Sequence, residues 1–251
     1  MPYTIYWMVL GALCCQCSGR TDDQPEILIS EFHDDGITTT KCRFTMYVDS
    51  TYIFTLHEYQ EYRHEKNEIF RGRYLLHGDS ILFFPFHFYY IGSETAVVKN
   101  NFIEFLGGKR PFKMKIMKTS LKADHRVDTL KFNDYSFFTY DSSFYKSLFP
   151  RESIPYHLNN DDLVKIDRVL SSCIRKASLT IELSSYFKQC VAVKNSNDER
   201  EVWINLLCKD KHFRDLHYYI VHTNDGGDCY FNVKINLDRL EYYDFYVNGH
   251  A

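Results

Sequence analysis

Three cysteines stand within four positions near the start of the chain, at Cys14, Cys15 and Cys17. The spacing of Cys14 and Cys17, with two residues between them, is typical of zinc ligands. A structural zinc site needs four ligands, however, and the sequence contains no second C-x-x-C. We therefore predict no metal site here. The chemistry of the cluster is indicated instead by the residues on either side of it.

The other five cysteines are spread over the remainder of the chain, at Cys42, Cys173, Cys190, Cys208 and Cys229. Because five is an odd number, they cannot all pair within one chain. Cys208 and Cys229 flank a predicted strand. They either form a disulfide, as an oxidising compartment would allow, or remain two separate buried thiols.

Common catalytic motifs are missing from the sequence. It contains no G-x-S-x-G, H-E-x-x-H, P-loop or dinucleotide fingerprint. S-x-x-K occurs at residues 143–146 and 185–188, but without the S-D-N and K-T-G motifs that complete an acyl-enzyme site. The 11 histidines show no ligand spacing, and residues 225–228 (DGGD) favour a tight turn over a calcium loop. The sequence therefore predicts no catalytic residue, metal or cofactor.

Composition indicates a folded, sheet-rich protein. The 251 residues are 45% hydrophobic, and aromatic residues make up 17% of the chain. Aromatic side chains suit the half-buried surface of a sheet. The formal net charge is −3. The sequence therefore lacks the excess of basic residues that is typical of nucleic-acid-binding proteins, and we predict no nucleic-acid partner.

An apolar run, residues 5–13 (IYWMVLGAL), leads into the cysteine cluster. A helix that crosses a bilayer needs about 20 apolar residues, whereas the core of a signal peptide needs only about 7–15. The run is therefore long enough for a signal peptide and too short for a membrane span. The alternative is a buried strand of a cytosolic protein.

Residues 1–23 resemble the leader of a bacterial lipoprotein, in which an apolar run ends at a cysteine that receives diacylglyceride. The resemblance implies a leader over residues 1–17 and lipid attachment at Cys17, with Cys15 and Cys14 as alternatives. Residues 18–40 would then form a polar tether. The implied location is the cell envelope. The lipid would anchor the protein to a bacterial membrane, and we expect this to be the outer membrane.

Residues 41–120 alternate apolar and polar side chains and predict antiparallel strands. Turn residues predict two hairpins, one turning at 77–80 and the other at 107–109. The run over residues 72–83, G-x-Y-x-L-x-G-D-x-I-x-F, resembles strand pairs of the lipocalin-like domains in envelope lipoproteins. It implies a small sheet or partial barrel. A change of composition at residues 121–126 begins a predicted connector, 121–150.

Residues 151–251 predict one amphipathic helix followed by strands. A cap at residues 159–162 precedes apolar residues at steps of three and four. Strand patterns follow at 187–194, 201–208, 216–223 and 229–237, and the last continues into 242–247. The order resembles cystatin-like folds, with a helix packed on a four-stranded antiparallel sheet. Residues 201–205, 225–227 and 247–251 also resemble the end of uncharacterised envelope lipoproteins.

The fold class predicted is α+β, mostly antiparallel β, in two modules. With no acid–base or nucleophile constellation, we expect a binding or interaction module of the envelope rather than an enzyme. Its partner would be an unknown protein or small-molecule ligand. The alternatives are a hydrolase whose site is scattered over several strands, and an interaction module similar to protease inhibitors.

Overall fold

The computed structural model describes residues 24–35, 38–60, 63–84, 91–122, 126–179, 182–209 and 216–249. The predicted leader, 1–17, and the predicted lipid-attachment residues Cys14, Cys15 and Cys17 lie outside them. Within the described ranges, no helix has the length and apolar character needed to span a bilayer.

The first half is a closed barrel of eight antiparallel strands, each paired with the next along the chain and the eighth paired with the first. The strands are β1 (Glu26–Asp35), β2 (Thr38–Tyr47), β3 (Thr51–Gln60), β4 (Arg63–His77), β5 (Ser80–Phe84), β6 (Thr95–Lys99), β7 (Phe102–Leu106) and β8 (Phe112–Thr119). Both predicted hairpins are present, as β4–β5 and β7–β8. Gly78 and Gly107 supply the left-handed backbone of their turns, at φ 62° and 68°.

Strand β1 differs from the sequence prediction, which placed residues 18–40 in a polar tether. Leu28, Ser30 and Phe32 point into the barrel and are buried, while Glu31 and His33 alternate with them on the outside. The outward residues and the buried Ser30 make this segment polar on average. Its alternation of inward and outward side chains was therefore not recognised from the sequence. Because β1 pairs with both β2 and β8, the barrel is closed rather than partial.

Aromatic rings fill the described interior of the barrel. The ring of Phe44 lies 5.6 Å from that of Tyr52, 6.4 Å from Phe54, 5.5 Å from Phe83 and 5.8 Å from Phe105, centroid to centroid. Eight strands leave an interior that side chains can fill. The barrel axis is therefore a packed core.

The second half is a six-stranded sheet with one helix, α1 (Asn160–Lys176), on one face. Its strands are β9 (Tyr135–Thr139), β10 (Ile154–Pro155), β11 (Tyr186–Lys194), β12 (Arg200–Cys208), β13 (Tyr230–Asn236) and β14 (Glu241–Val247). Strands β11 to β14 form an antiparallel meander, and β9 and β10 both pair with the free side of β11. The predicted α+β class, rich in antiparallel sheet, is confirmed.

Helix α1 begins at the predicted cap. Asn159 Oδ1 accepts hydrogen bonds from the backbone N–H groups of Asp161 and Asp162, and the Asp162 carboxylate accepts one from Asn159 N–H. This reciprocal arrangement satisfies amide groups that the first helical turn leaves unpaired. The apolar stripe of the helix is buried against the sheet, through Leu163, Ile166, Val169, Leu170, Cys173 and Ile174.

Strand β9 is the second difference from the sequence prediction, because it lies inside the predicted connector, 121–150. Every residue of β9 is buried, and the strand pairs parallel to β11, giving six strands instead of four. The chain after β9 covers the sheet face opposite α1, where Tyr145 and Phe149 pack near Val191 and Trp203. Parallel pairing with a strand about 50 residues later leaves no local hairpin pattern to detect.

Residues 216–223, predicted as a strand, form turns and irregular backbone instead. The side chain of Gln189 binds this segment: its amide group donates to the carbonyls of Leu216 and Tyr219, both at 2.8 Å, and its oxygen accepts from Val221 N–H at 2.9 Å. These side-chain bonds satisfy backbone groups that, in a strand, would be hydrogen-bonded to a neighbouring strand. The apolar alternation of the segment reflects packing against the sheet face rather than membership of the sheet.

Candidate ligand cleft between barrel and sheet

A cleft of about 260 Å³ lies where the barrel meets the second sheet. We call it the barrel–sheet cleft and define it by residues from β6 to β9 and the 216–223 segment. Its principal lining side chains are Lys99, Phe102, Lys113, Lys115, Phe137 and His217. Among the described residues, no aspartate or glutamate lines it.

Three charged residues at this junction point out of the barrel yet are buried. Lys99, Glu104 and Lys113 are 6%, 3% and 3% exposed. Glu104 on β7 stands directly opposite Lys113 on β8, and its sequence neighbours on β7 face the barrel core. Side chains that point out of a barrel ordinarily face water. These three are buried because β9 covers them. Opposite charges facing one another across paired strands stabilise the pairing.

Glu104 joins the barrel to β9. Its carboxylate accepts hydrogen bonds from Thr139 N–H at 2.9 and 3.0 Å and from Thr139 Oγ1 at 2.7 Å, and Lys99 Nζ lies 3.4 Å away. Burial by itself would raise the pKa of this carboxyl. The charges of Lys99 and Lys113 and the Thr139 bonds outweigh burial and hold the pKa below its usual value. Glu104 is therefore ionised at neutral pH.

The amine of Lys113 is the most unusual group of the cleft. Nζ donates to the Phe137 carbonyl at 2.7 Å and lies 4.6 Å from the centroid of the Phe102 ring and 4.2 Å from that of Phe138. Burial lowers the pKa of Lys113 to about 7, although the Glu104 charge acts in the opposite direction. At neutral pH this lysine is thus divided between its charged and neutral forms.

His217 closes one side of the cleft as a neutral ring. It stacks on Phe102 with 6.0 Å between centroids and meets the Phe187 ring edge-on at 5.0 Å. Burial, and then the charges of Lys113 and Lys115, lower the pKa of His217 to about 4. Its imidazole therefore adds a flat wall and a hydrogen-bonding nitrogen at neutral pH, but no charge.

The cysteines singled out from the sequence lie elsewhere in the fold. The structure joins Cys208, at the end of β12, to Cys229, just before β13, in a disulfide. Cys42, Cys173 and Cys190 are free thiols buried in the cores. For Cys190 and Cys42, burial raises the pKa of the thiol, so neither is an activated nucleophile.

The two S-x-x-K matches have structural roles. Ser143 Oγ bonds the Asp141 carboxylate at 2.5 Å within a turn. Lys188 Nζ is buried and binds Asp134 Oδ2 at 2.7 Å. In the part of the chain that the structure describes, no three His, Cys, Asp or Glu side chains converge on a position for a metal ion.

The residues of the cleft were not identified from the sequence. Glu104 and Lys113 occupy polar positions of alternating strands, a pattern typical of a solvated face. Their burial depends on β9, whose position no local pattern reveals. The one available signal was the single glutamate in the otherwise apolar β7 sequence FIEFL.

Comparisons with protein-family models, with curated proteins and with solved structures find no match for this chain.

Proposed function

We propose that this protein binds a small anionic ligand with a flat apolar body, held in the barrel–sheet cleft. The observation that carries the proposal is the charge of the cleft. Lys99, Lys113 and the exposed Lys115 line it, and the buried carboxylate beside them, that of Glu104, lies 3.4 Å from Lys99 Nζ. Burial disfavours the charged form of Lys113, and an anionic ligand in the cleft would supply a counterion that stabilises it.

The walls of the cleft favour a flat ligand. Phe102, Phe132, Phe137 and Tyr218 line it together with the neutral ring of His217. Aromatic faces pack well on other flat groups, and a few polar groups in an apolar pocket fix the orientation of a ligand. At about 260 Å³ the cleft lies just below the usual range for drug-sized ligands, so the ligand has one or two rings.

The test uses 2-naphthoate as the probe, with uncharged 2-naphthamide as its matched control, in calorimetric titrations. We expect naphthoate to bind and naphthamide to bind at least tenfold more weakly, because only the carboxylate makes charge-assisted bonds, worth about 1.5–3 kcal/mol. Lys113→Met should weaken naphthoate binding to a similar degree. Lys118→Met, on the same strand but largely exposed, is the control and should bind as the wild type does.

The affinity should also depend on pH. Naphthoate stays ionised between pH 6 and 9, while Lys113, with a pKa of about 7, loses its charge over this interval. Naphthoate binding should therefore weaken as pH rises, and Lys113→Met should flatten that dependence. Equal affinities for naphthoate and naphthamide, or a wild-type affinity unchanged by pH, would contradict the proposal.

We also propose that the protein acts at the cell envelope, anchored through lipid on Cys17, or on Cys15 or Cys14. The disulfide between Cys208 and Cys229 supports an oxidising location, where such bonds persist. A cystatin-like identity for residues 151–251, with a protease-inhibitor-like role, is the alternative for that half. Capture of a stoichiometric protease by the full chain would favour it.

The proposed envelope location is tested by the mass of the N-terminal peptide from protein made in a Gram-negative host. Each of the three cysteines is changed to alanine in turn. We expect a mature chain that starts at a diacylated cysteine, and loss of that species in one variant alone. A peptide that retains residues 1–13 without lipid would overturn the anchor and leave the cleft proposal intact.

A further inference from the structure

We propose that the ligand of the barrel–sheet cleft carries an aldehyde or ketone, and that Lys113 Nζ binds it as a reversible imine. This inference rests on the proposed function and names the ligand's reactive group. It follows from the position of one amine: Lys113 is buried, lines a cleft large enough for a ring system, and lies between the aromatic rings of Phe102 and Phe138.

Of the two buried lysines at the cleft, only Lys113 has the setting of a nucleophile. Lys99 Nζ is paired with a carboxylate, that of Glu104, at 3.4 Å. Lys113 Nζ instead bonds a neutral carbonyl, that of Phe137. With its pKa near 7, Lys113 is mostly unprotonated at pH 7.5, whereas an ordinary lysine is unprotonated in about one molecule in a thousand.

The chemistry balances without an oxidant or a reductant. The lone pair of Lys113 Nζ attacks the carbonyl carbon, and the carbonyl oxygen takes up the proton that the nitrogen loses. The resulting carbinolamine accepts a second proton, from solvent, and releases its hydroxyl group as water. A protonated imine remains, and its single N–H can keep the hydrogen bond to the Phe137 carbonyl while Glu104 lies nearby as a counterion. Addition of water reverses each step and releases the ligand.

The test probe is 4-carboxybenzaldehyde, which combines the anion, the ring and the carbonyl. The full-length protein is incubated with it at pH 7.5 in the presence of cyanoborohydride, which reduces an imine to a stable secondary amine. Peptide mapping should locate the adduct on Lys113, at a rate at least tenfold above that of any other lysine. An excess of 2-naphthoate should suppress it by competing for the cleft.

Two variants separate charge from nucleophilicity. Lys113→Arg keeps the positive charge and should bind naphthoate but form no adduct at position 113, while Lys118→Met should be labelled as the wild type is. The wild-type map decides the matter even where a variant fails to fold. Naphthoate binding with adducts spread evenly over exposed lysines would overturn the imine and leave the proposed function standing. Absence of both binding and trapping would overturn the two together.

Discussion

Replacement of Glu104 by glutamine is expected to lower the free energy of unfolding by about 3–5 kcal/mol, the usual cost of removing one partner from a buried ion pair. The substitution would leave Lys99 and Lys113 buried without their carboxylate. It would also weaken the bonds that attach the barrel to Thr139 of the sheet. Urea-induced unfolding followed by circular dichroism measures the change.

The control for this substitution is Glu31→Gln, which removes a half-exposed carboxylate on the outside of β1 that pairs with Arg43 at 2.6 Å. An exposed pair contributes at most about 1 kcal/mol. In the double variant of Glu104→Gln with Lys113→Met, part of the loss should be recovered, because one uncompensated charge is gone. A Glu104→Gln variant no less stable than Glu31→Gln would show that the buried cluster is not what holds the two halves together.

The same residue sets a pH dependence. The pKa of Glu104 is held below its unfolded value, near 4.5, so its contribution to stability is complete above that pH and is lost as pH falls through the lower, folded pKa. The difference in unfolding free energy between wild type and Glu104→Gln should therefore be largest near neutral pH and shrink in acid.

Removal of the disulfide has the second largest expected effect. Cys208 and Cys229 are 21 residues apart, and a cross-link that closes a loop of this length restricts the unfolded chain by about 3 kcal/mol. The variant with both cysteines changed to alanine should lose about that much in unfolding free energy.

Reductant supplies the internal control for the disulfide. Dithiothreitol should destabilise the wild type by a similar amount and leave the double alanine variant unchanged. In urea without reductant, a thiol reagent should modify Cys42, Cys173 and Cys190 but neither Cys208 nor Cys229. Labelling of the last two in unreduced protein would show that the bond does not form.

The elements that local signals specify were predictable from the sequence. Asn159 and the acidic first turn define the start of α1, and the apolar stripe defines its buried face. Gly78 and Gly107 define two hairpins, since their backbone conformations favour glycine. In each case the signal lies within a few residues of the structure that it specifies.

The elements that depend on distant partners were not predictable in the same way. Strand β1 contains a buried Ser30 and β9 has no hairpin partner, so neither follows from its own pattern. The cleft has the same origin, because the burial of Glu104 and Lys113 depends on a strand more than 20 residues further along the chain. A single sequence shows the charge of such residues but not what covers them.

The pairing of β1 with β8 has a consequence for how the chain acquires its fold. The Thr119 hydroxyl donates to the Ile27 carbonyl across 92 residues, so the barrel closes only after all eight strands have been synthesised. Contacts between such distant residues make folding slow, because the loop must be ordered before the contact compensates for it. Meanwhile the first and last strands both present unpaired edges to other chains. A newly made chain is therefore open to pairing with other molecules at both edges until β8 has reached β1.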